Sequence, residues 1–144
     1  MNEPRFIEIE DLKPDYLEAI NRLISQLSTS SHTLTEAELN SLIVSPQSHL
    51  YALEYDEKII GMVTLCIYQC PTGRKAWIED VVVDQNYRGK GYGKVMIEKV
   101  IALCRNKGNM TLMLTSRPSR IVANQLYQSL GFEKRETNVY KMKF

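Results

Sequence analysis

The chain has 144 residues, a formal charge of +1 and 24% charged residues. That length fits one domain over residues 1–144 with room for a substantial core, and the near-neutral charge excludes a broad field drawing it to nucleic acid or an anionic membrane. No apolar run is long enough to span a bilayer, the first residues carry no secretory-type stretch, and Cys66, Cys70 and Cys104 offer no second pair at metal-ligand spacing; a cytoplasmic protein with reduced thiols and no metal is therefore expected.

In chain order, Phe6, Ile7 and Ile9 alternate with charges, which predicts a short first strand over 5–10. Pro14 fits a helix start, and Leu17, Ile20, Ile24 and Leu27 recur at helical spacing. The segment 28–33 is a polar loop containing His32. Thr35 with Glu38 reads as a capping box ahead of a second helix carrying Leu39, Leu42 and Ile43, which Ser45-Pro46 ends. Residues 49–55 and 59–68 read as two strands joined by a tight turn at Asp56-Glu57-Lys58, an antiparallel hairpin with a bulge near Gly61. Lys75 to Val83 is a further strand.

That strand runs into Asp84-Gln85-Asn86-Tyr87-Arg88-Gly89-Lys90-Gly91-Tyr92-Gly93-Lys94, a glycine-rich turn opening a helix. The first N–H groups of a helix lack internal partners and sit at the positive end of its dipole, so this pattern suits an anion. A P-loop would need a glycine at Arg88 and a hydroxyl at Val95; a G-x-G-x-x-G fingerprint fails from Gly89, where the last position is Lys94, and from Gly91. What remains is R-x-x-G-x-G. Met96, Ile97, Val100, Ile101 and Cys104 form the apolar face of the helix, with Gly108 as a left-handed cap. Met110 to Thr115 is a strand, and the crossover from Val83 suits a parallel connection. Ser119 is positioned to cap a last helix bearing Ala123, Leu126, Tyr127 and Leu130, and Phe132 to Phe144 reads as one or two short strands. The order β-α-α-β-β-β-α-β-α-β predicts an α/β class with a mixed sheet and helices on both faces.

The R-x-x-G-x-G of Arg88, Gly91 and Gly93, followed by Ala123-x-x-Leu126-Tyr127-x-x-x-Gly131-Phe132, resembles the GNAT superfamily of N-acetyltransferases. The resemblance covers residues 59–144 well and the N-terminal part in pattern only. It implies a GNAT-like fold, a mostly antiparallel central sheet with one parallel pair. It implies an N-acetyltransferase using acetyl-CoA as cosubstrate, whose diphosphate rests on the amides of Arg88, Gly89, Lys90, Gly91, Tyr92, Gly93 and Lys94. The main chain of Val81 and Val83 would pair with pantetheine, the Val81 N–H would hold the carbonyl oxygen, and Asn124 is a candidate cofactor contact. The asparagine that many members carry seven residues before the tyrosine is Arg120 here. Arg117, Arg120 and Lys94 are candidates for a CoA phosphate.

The resemblance makes Tyr127 the general acid for the departing thiolate; a phenol is a neutral donor at pH 7. Spacing alone also fits a tyrosine buried for packing. The attacking amine must lose a proton, which a carboxylate near the acetyl group could take directly or through water, and Glu79 and Asp80 lie in the strand before the turn. Residues alternate along a strand, so only one of them points at the cleft; Glu79, on the face expected for Val81 and Val83, is favoured, with water relay left open. The segment 78–83 resembles the matching strand of glucosamine-phosphate N-acetyltransferases. Trp77, Tyr68 and Tyr51 are candidates for lining the acceptor side or for packing, and His32 and His49 read as surface residues. The acceptor is a small-molecule or protein amine, and the resemblance allows a homodimer through the alternating tail 139–144. The alternative from another class is a domain that binds acyl-CoA without turnover, as a sensor.

Overall fold

A computed structural model describes residues 3–27 and 32–144. Most of the polar loop expected at 28–33 lies outside the described residues. By its internal contacts the chain forms two compact units, 1–114 and 115–144.

The first unit holds a five-stranded sheet in the order β1-β2-β3-β4-β5. The strands are β1 (Arg5–Glu8), β2 (Ser48–Tyr55), β3 (Lys58–Cys70), β4 (Gly73–Val83) and β5 (Thr111–Met113). The first four pair antiparallel, and β4 with β5 is the parallel pair. The β2–β3 turn uses Asp56 at φ 53 and Glu57 at φ 63. Two left-handed residues match the twist of a two-residue hairpin.

Helices α1 (Tyr16–Ile24) and α2 (Glu36–Val44) cover one face. Their Ala19, Ile20, Leu23 and Leu39 bury against Ile9, Leu50, Ala52, Ile59, Met62 and Val82. Helix α3 (Tyr92–Lys107) covers the other face, burying Met96, Ile97, Val100 and Cys104. Register settles the sides, because directly paired residues share a face: Leu53, Gly61 and Val83 look towards α3, while Ala52, Met62 and Val82 look towards α1.

Capping differs in detail from the sequence pattern. Helix α1 starts after Asp15, which is left-handed at φ 73, so Pro14 precedes the first turn. Thr35 accepts from the Glu38 amide at 3.1 Å as expected, and the Glu38 carboxylate lies 2.7 Å from His32 Nε2. Gly108 has positive φ but ψ −157, a glycine-only conformation rather than the left-handed helical one.

Gly61 follows a register shift in β2–β3 that leaves Ile60 as the extra residue, the bulge expected there. A Cβ on Gly61 would stand 3.2 Å from the Met96 thioether and 3.2 Å from the Val82 carbonyl oxygen. Met96 can yield; the backbone of β4 cannot without moving the strand end. Gly61→Ala should therefore lower unfolding free energy by about 1–3 kcal/mol, the usual range for overpacking, in urea denaturation.

The second unit contains α4 (Ile121–Ser129). Ser119 is not its cap: the N-cap is Arg120, without a side-chain cap bond. Asn124 Nδ2 instead ties down the approach, donating to the carbonyls of Arg117 and Arg120 at 2.8 Å each. The helix ends where Gly131 takes φ 103. Gly131 N–H donates to Gln128 O at 3.1 Å and Phe132 N–H to Tyr127 O at 3.0 Å. The two rings meet edge to face at 6.0 Å. This is a complete Schellman motif with its apolar clasp, so the Tyr-x-x-x-Gly-Phe spacing has a structural cause of its own.

The strands expected within 132–144 do not form, and Val139, Tyr140, Met142 and Phe144 are exposed. Alternation makes a segment able to be a strand, but a strand needs a ladder partner. Within 115–144 there is none.

Candidate active site

The turn between β4 and α3 begins at Asp84, whose side chain is nearly sealed from solvent at 6% exposure. The N–H groups over 84–87 are all engaged. Asp84 N donates to Ile60 O at 2.7 Å, Gln85 N to Gln26 Oε1 at 2.8 Å, Asn86 N to Asp84 Oδ1 at 2.9 Å and Tyr87 N to Asp84 O at 2.8 Å. Past Arg88 the pattern reverses: among the described residues, no N–H from residue 89 to residue 94 has a hydrogen-bond partner. The first helical bond of α3 goes from Val95 N to Gly91 O. The first N–H groups of a helix have no partner within it, and here they lie in a largely exposed turn at the positive end of α3, a setting that suits an anion.

The three glycines serve different ends. Gly89 and Gly91 have φ 80 and 81, and a Cβ on either would meet nothing within 4 Å. Their requirement is conformational, and the space before them is open. Gly93 has an ordinary helical conformation, and its Cβ would rest 3.9 Å from Val83 Cγ2. Its missing side chain clears the first turn of α3. Aromatic rings stiffen the turn from below: Tyr55 contacts Tyr87 at 6.1 Å and Tyr92 at 6.5 Å, between centroids. Lys90 Nζ stands 5.7 Å over the Tyr87 ring, and Lys94 makes a loose surface pair with Glu98 at 3.9 Å. Arg88 folds back, donating from Nε to Val83 O at 2.9 Å.

Strand β4 departs from the expected alternation. Thr64 pairs with Glu79 and Met62 with Val82, so Asp80 and Val81 together oppose Val63. This is a bulge, with Asp80 left-handed at φ 51. The extra residue reverses the alternation beyond it. Glu79 therefore shares its face with Met62 and Val82, the α1–α2 side, and not with Val83, which faces α3. Trp77 and Tyr68 lie on the Glu79 face too, with Trp77 Nε1 donating to Tyr68 OH at 3.0 Å. Tyr51 and His49 sit on the opposite face. Tyr51 stacks on Phe6 at 5.0 Å, and burial with the nearby Glu8 pushes its hydroxyl well above the usual range. His49 lies 3.1 Å from Glu8 Oε2.

Glu79 is exposed, yet neighbouring protein displaces enough of its water to raise its carboxyl above the usual range, and the adjacent Asp80 charge adds to the shift. The parallel ladder with β5 covers only Lys75 to Trp77. From residue 78 to 83, β4 has no strand partner on that side among the described residues, leaving main-chain groups there available.

Tyr127 is buried at 7% exposure, and within 115–144 no hydrogen bond occupies its hydroxyl. Asn124 commits both amide hydrogens to backbone. Ser116 Oγ is a buried side-chain polar atom with no partner among the described residues, a feature no sequence signal marks. Arg117 and Arg120 are exposed. Among the described residues no group of His, Cys, Asp or Glu could hold a metal ion, and no helix is long and apolar enough to cross a membrane.

Residues 10–132 match the sequence profile of the Acetyltransferase (GNAT) family. The chain is 32% identical to human N-acetyltransferase 8B over 89 residues, 60% of this chain and 39% of that protein. It is 38% identical to glucosamine 6-phosphate N-acetyltransferase of Trypanosoma brucei brucei over 82 residues, 55% of this chain and 54% of that one. The chain thus aligns with about half or less of these relatives' lengths. The fold is similar to that of the aminoglycoside N-acetyltransferase AAC(6')-Iy, solved in complex with CoA. The TM-score is 0.78 at 20% identity, over 99% of this chain and 96% of that one. With the profile spanning most of its length, this chain belongs to the acetyltransferase (GNAT) family.

Proposed function

We propose that residues 1–144 act as one domain, an acetyl-CoA-dependent N-acetyltransferase that transfers acetyl to a primary amine by direct attack in a ternary complex. The observation that carries this reading is the row of open amides over 89–94 at the start of α3, in a chain of an acetyltransferase family. Bound acetyl-CoA supplies the acetyl group as an activated thioester. The amides of residues 89–94 bind its diphosphate, helped by the α3 dipole, and Arg88, Lys90 and Lys94 add positive charge around them. The open edge of β4 over 78–83 offers N–H and C=O groups to the pantetheine arm. Because Val83 O already accepts from Arg88, Val81 carries more of this pairing than Val83. The Val81 N–H donates to the carbonyl oxygen as negative charge develops there. Glu79 removes the amine proton directly or through water, and Tyr127 donates its proton to the departing thiolate. Asn124 acts on the cofactor side indirectly, by holding the approach to α4.

The Glu79, Trp77 and Tyr68 face receives a small-molecule or protein amine. The free thiols support a reducing, cytoplasmic setting, and the exposed alternating tail supports a homodimer. The test is release of free thiol from acetyl-CoA across a panel of amines. Release only when an amine is present is the expected result; tight binding of acetyl-CoA with no release for any amine would favour a sensor instead.

Gly93→Ala separates stability from binding at this site. Alanine is better than glycine within a helix by up to about 1 kcal/mol, and the methyl finds ordinary contact distance at Val83. It also projects where the diphosphate must approach the backbone. The variant should melt a few degrees higher yet bind CoA about tenfold more weakly, a difference of about 1.4 kcal/mol, read by thermal melts and calorimetry.

A further inference from the structure

We propose that Asp84 and Arg22 are positioning residues for the cofactor turn. Through them α1 holds the approach to the turn so that the amides of 89–94 are preset for a diphosphate. The inference rests on the acetyl-CoA reading above. Arg22 spans two anchors from α1: its Nε lies 3.2 Å from Asp84 Oδ2 and its Nη2 donates to Ile59 O at 2.9 Å. One turn further along, Gln26 accepts the Gln85 amide at 2.8 Å. Asp84 in turn accepts the Asn86 amide and closes the short turn over Gln85–Tyr87. The backbone donors of 84–87 are thereby taken up inside the protein, just ahead of the open donors of 89–94.

Two other purposes for this network are weaker. Helix α1 does not need it for docking, since Ala19, Ile20 and Leu23 are buried against the sheet. Nor is the ion pair a good source of stability: the Arg22 side chain is 46% exposed, so solvent screens it. A buried ion pair is in general weak evidence for net stability, although removing one partner leaves the other uncompensated, so each variant is checked for folding by thermal melts. What the pair does supply is direction. A carboxylate fixed on one oxygen by a planar guanidinium presents the other to Asn86 at a set angle. Helix α1 extends the same service to a second segment, since Asn21 exchanges two hydrogen bonds with the Leu34 backbone, at 2.7 and 2.9 Å. The neighbouring Asn21 and Arg22 thus tie the α1–α2 connection and the cofactor turn to one helical turn.

The test is calorimetric titration of the full chain with CoA, together with acetyl-CoA KM and kcat. Asp84→Asn keeps an oxygen for the Asn86 amide but loses the charge that holds Arg22; Arg22→Met removes the guanidinium. If either leaves the turn competent in about one molecule in ten, the apparent Kd rises about tenfold. KM for acetyl-CoA should rise by the same factor, with kcat at saturation within about twofold. The double variant should bind no worse than the weaker single, because both changes break one linkage. Arg5→Met, which removes the exposed Arg5–Glu54 pair at 2.6 Å, should leave CoA affinity unchanged. Should Asp84→Asn fail to fold, Arg22→Lys decides, since it keeps the charge but cannot span both anchors; a several-fold rise in Kd is expected. Unchanged affinity in these variants, additive losses in the double, or an equal loss in Arg5→Met would overturn the proposal while leaving the acetyl-CoA reading intact. Failure of the unaltered chain to bind CoA would overturn both.

Discussion

Replacing Tyr127 by phenylalanine should lower kcat by about 10²- to 10⁴-fold, the usual worth of a positioned acid, while CoA affinity stays within about twofold. The substitution is mild for the fold. The Schellman clasp uses the Tyr127 carbonyl and the ring contact with Phe132, and phenylalanine keeps both. Within 115–144 the hydroxyl holds no hydrogen bond whose loss would cost stability. Steady-state kinetics with circular dichroism as the fold control give the result. Unchanged turnover would leave Tyr127 a packing residue only.

Glu79→Gln should be about as damaging, roughly 10²- to 10⁴-fold in kcat near neutral pH, and it carries a second signature. The base must be ionised to take a proton. Displaced water and the Asp80 charge hold the Glu79 carboxyl above its ordinary range. Activity should therefore rise with pH through that raised value, an acid limb starting higher than an ordinary glutamate would give. In the glutamine variant the limb that belongs to Glu79 should vanish, because an amide does not ionise, once the ionisation of the amine substrate is allowed for. A pH–rate profile for kcat/KM checks both; an intact acid limb in the variant would move the role to Asp80 or to another group.

Much of the scaffold was legible because it rests on local chemistry. Asp56-Glu57 between two apolar runs, Thr35 ahead of Glu38, and Gly89 and Gly91 ahead of a helical stripe each satisfy rules that operate within a few residues. The bulge at Asp80 was not legible. It is a property of two strands, fixed by how β4 registers on β3 around Val63, and three consecutive valines fit either face equally. The sequence therefore placed Glu79 on the Val83 face, and the structure places it on the other. The tail 132–144 failed for a related reason, since alternation does not provide a partner. Arg22 and Asp84 are 62 residues apart, and nothing local marks which arginine finds which aspartate. Asn124 and Tyr127 stand out in the sequence as a pattern, and part of that pattern belongs to helix ends.

The most direct measurement on the cofactor turn is a CoA titration of the isotope-labelled chain followed by amide NMR. The signals of Gly89, Lys90, Gly91, Tyr92, Gly93 and Lys94 should shift most, as open donors gain a charged acceptor. Those of Asp84 to Tyr87, already bonded within the protein, should move little. No shift at millimolar CoA, or a largest shift away from the start of α3, would contradict the assignment.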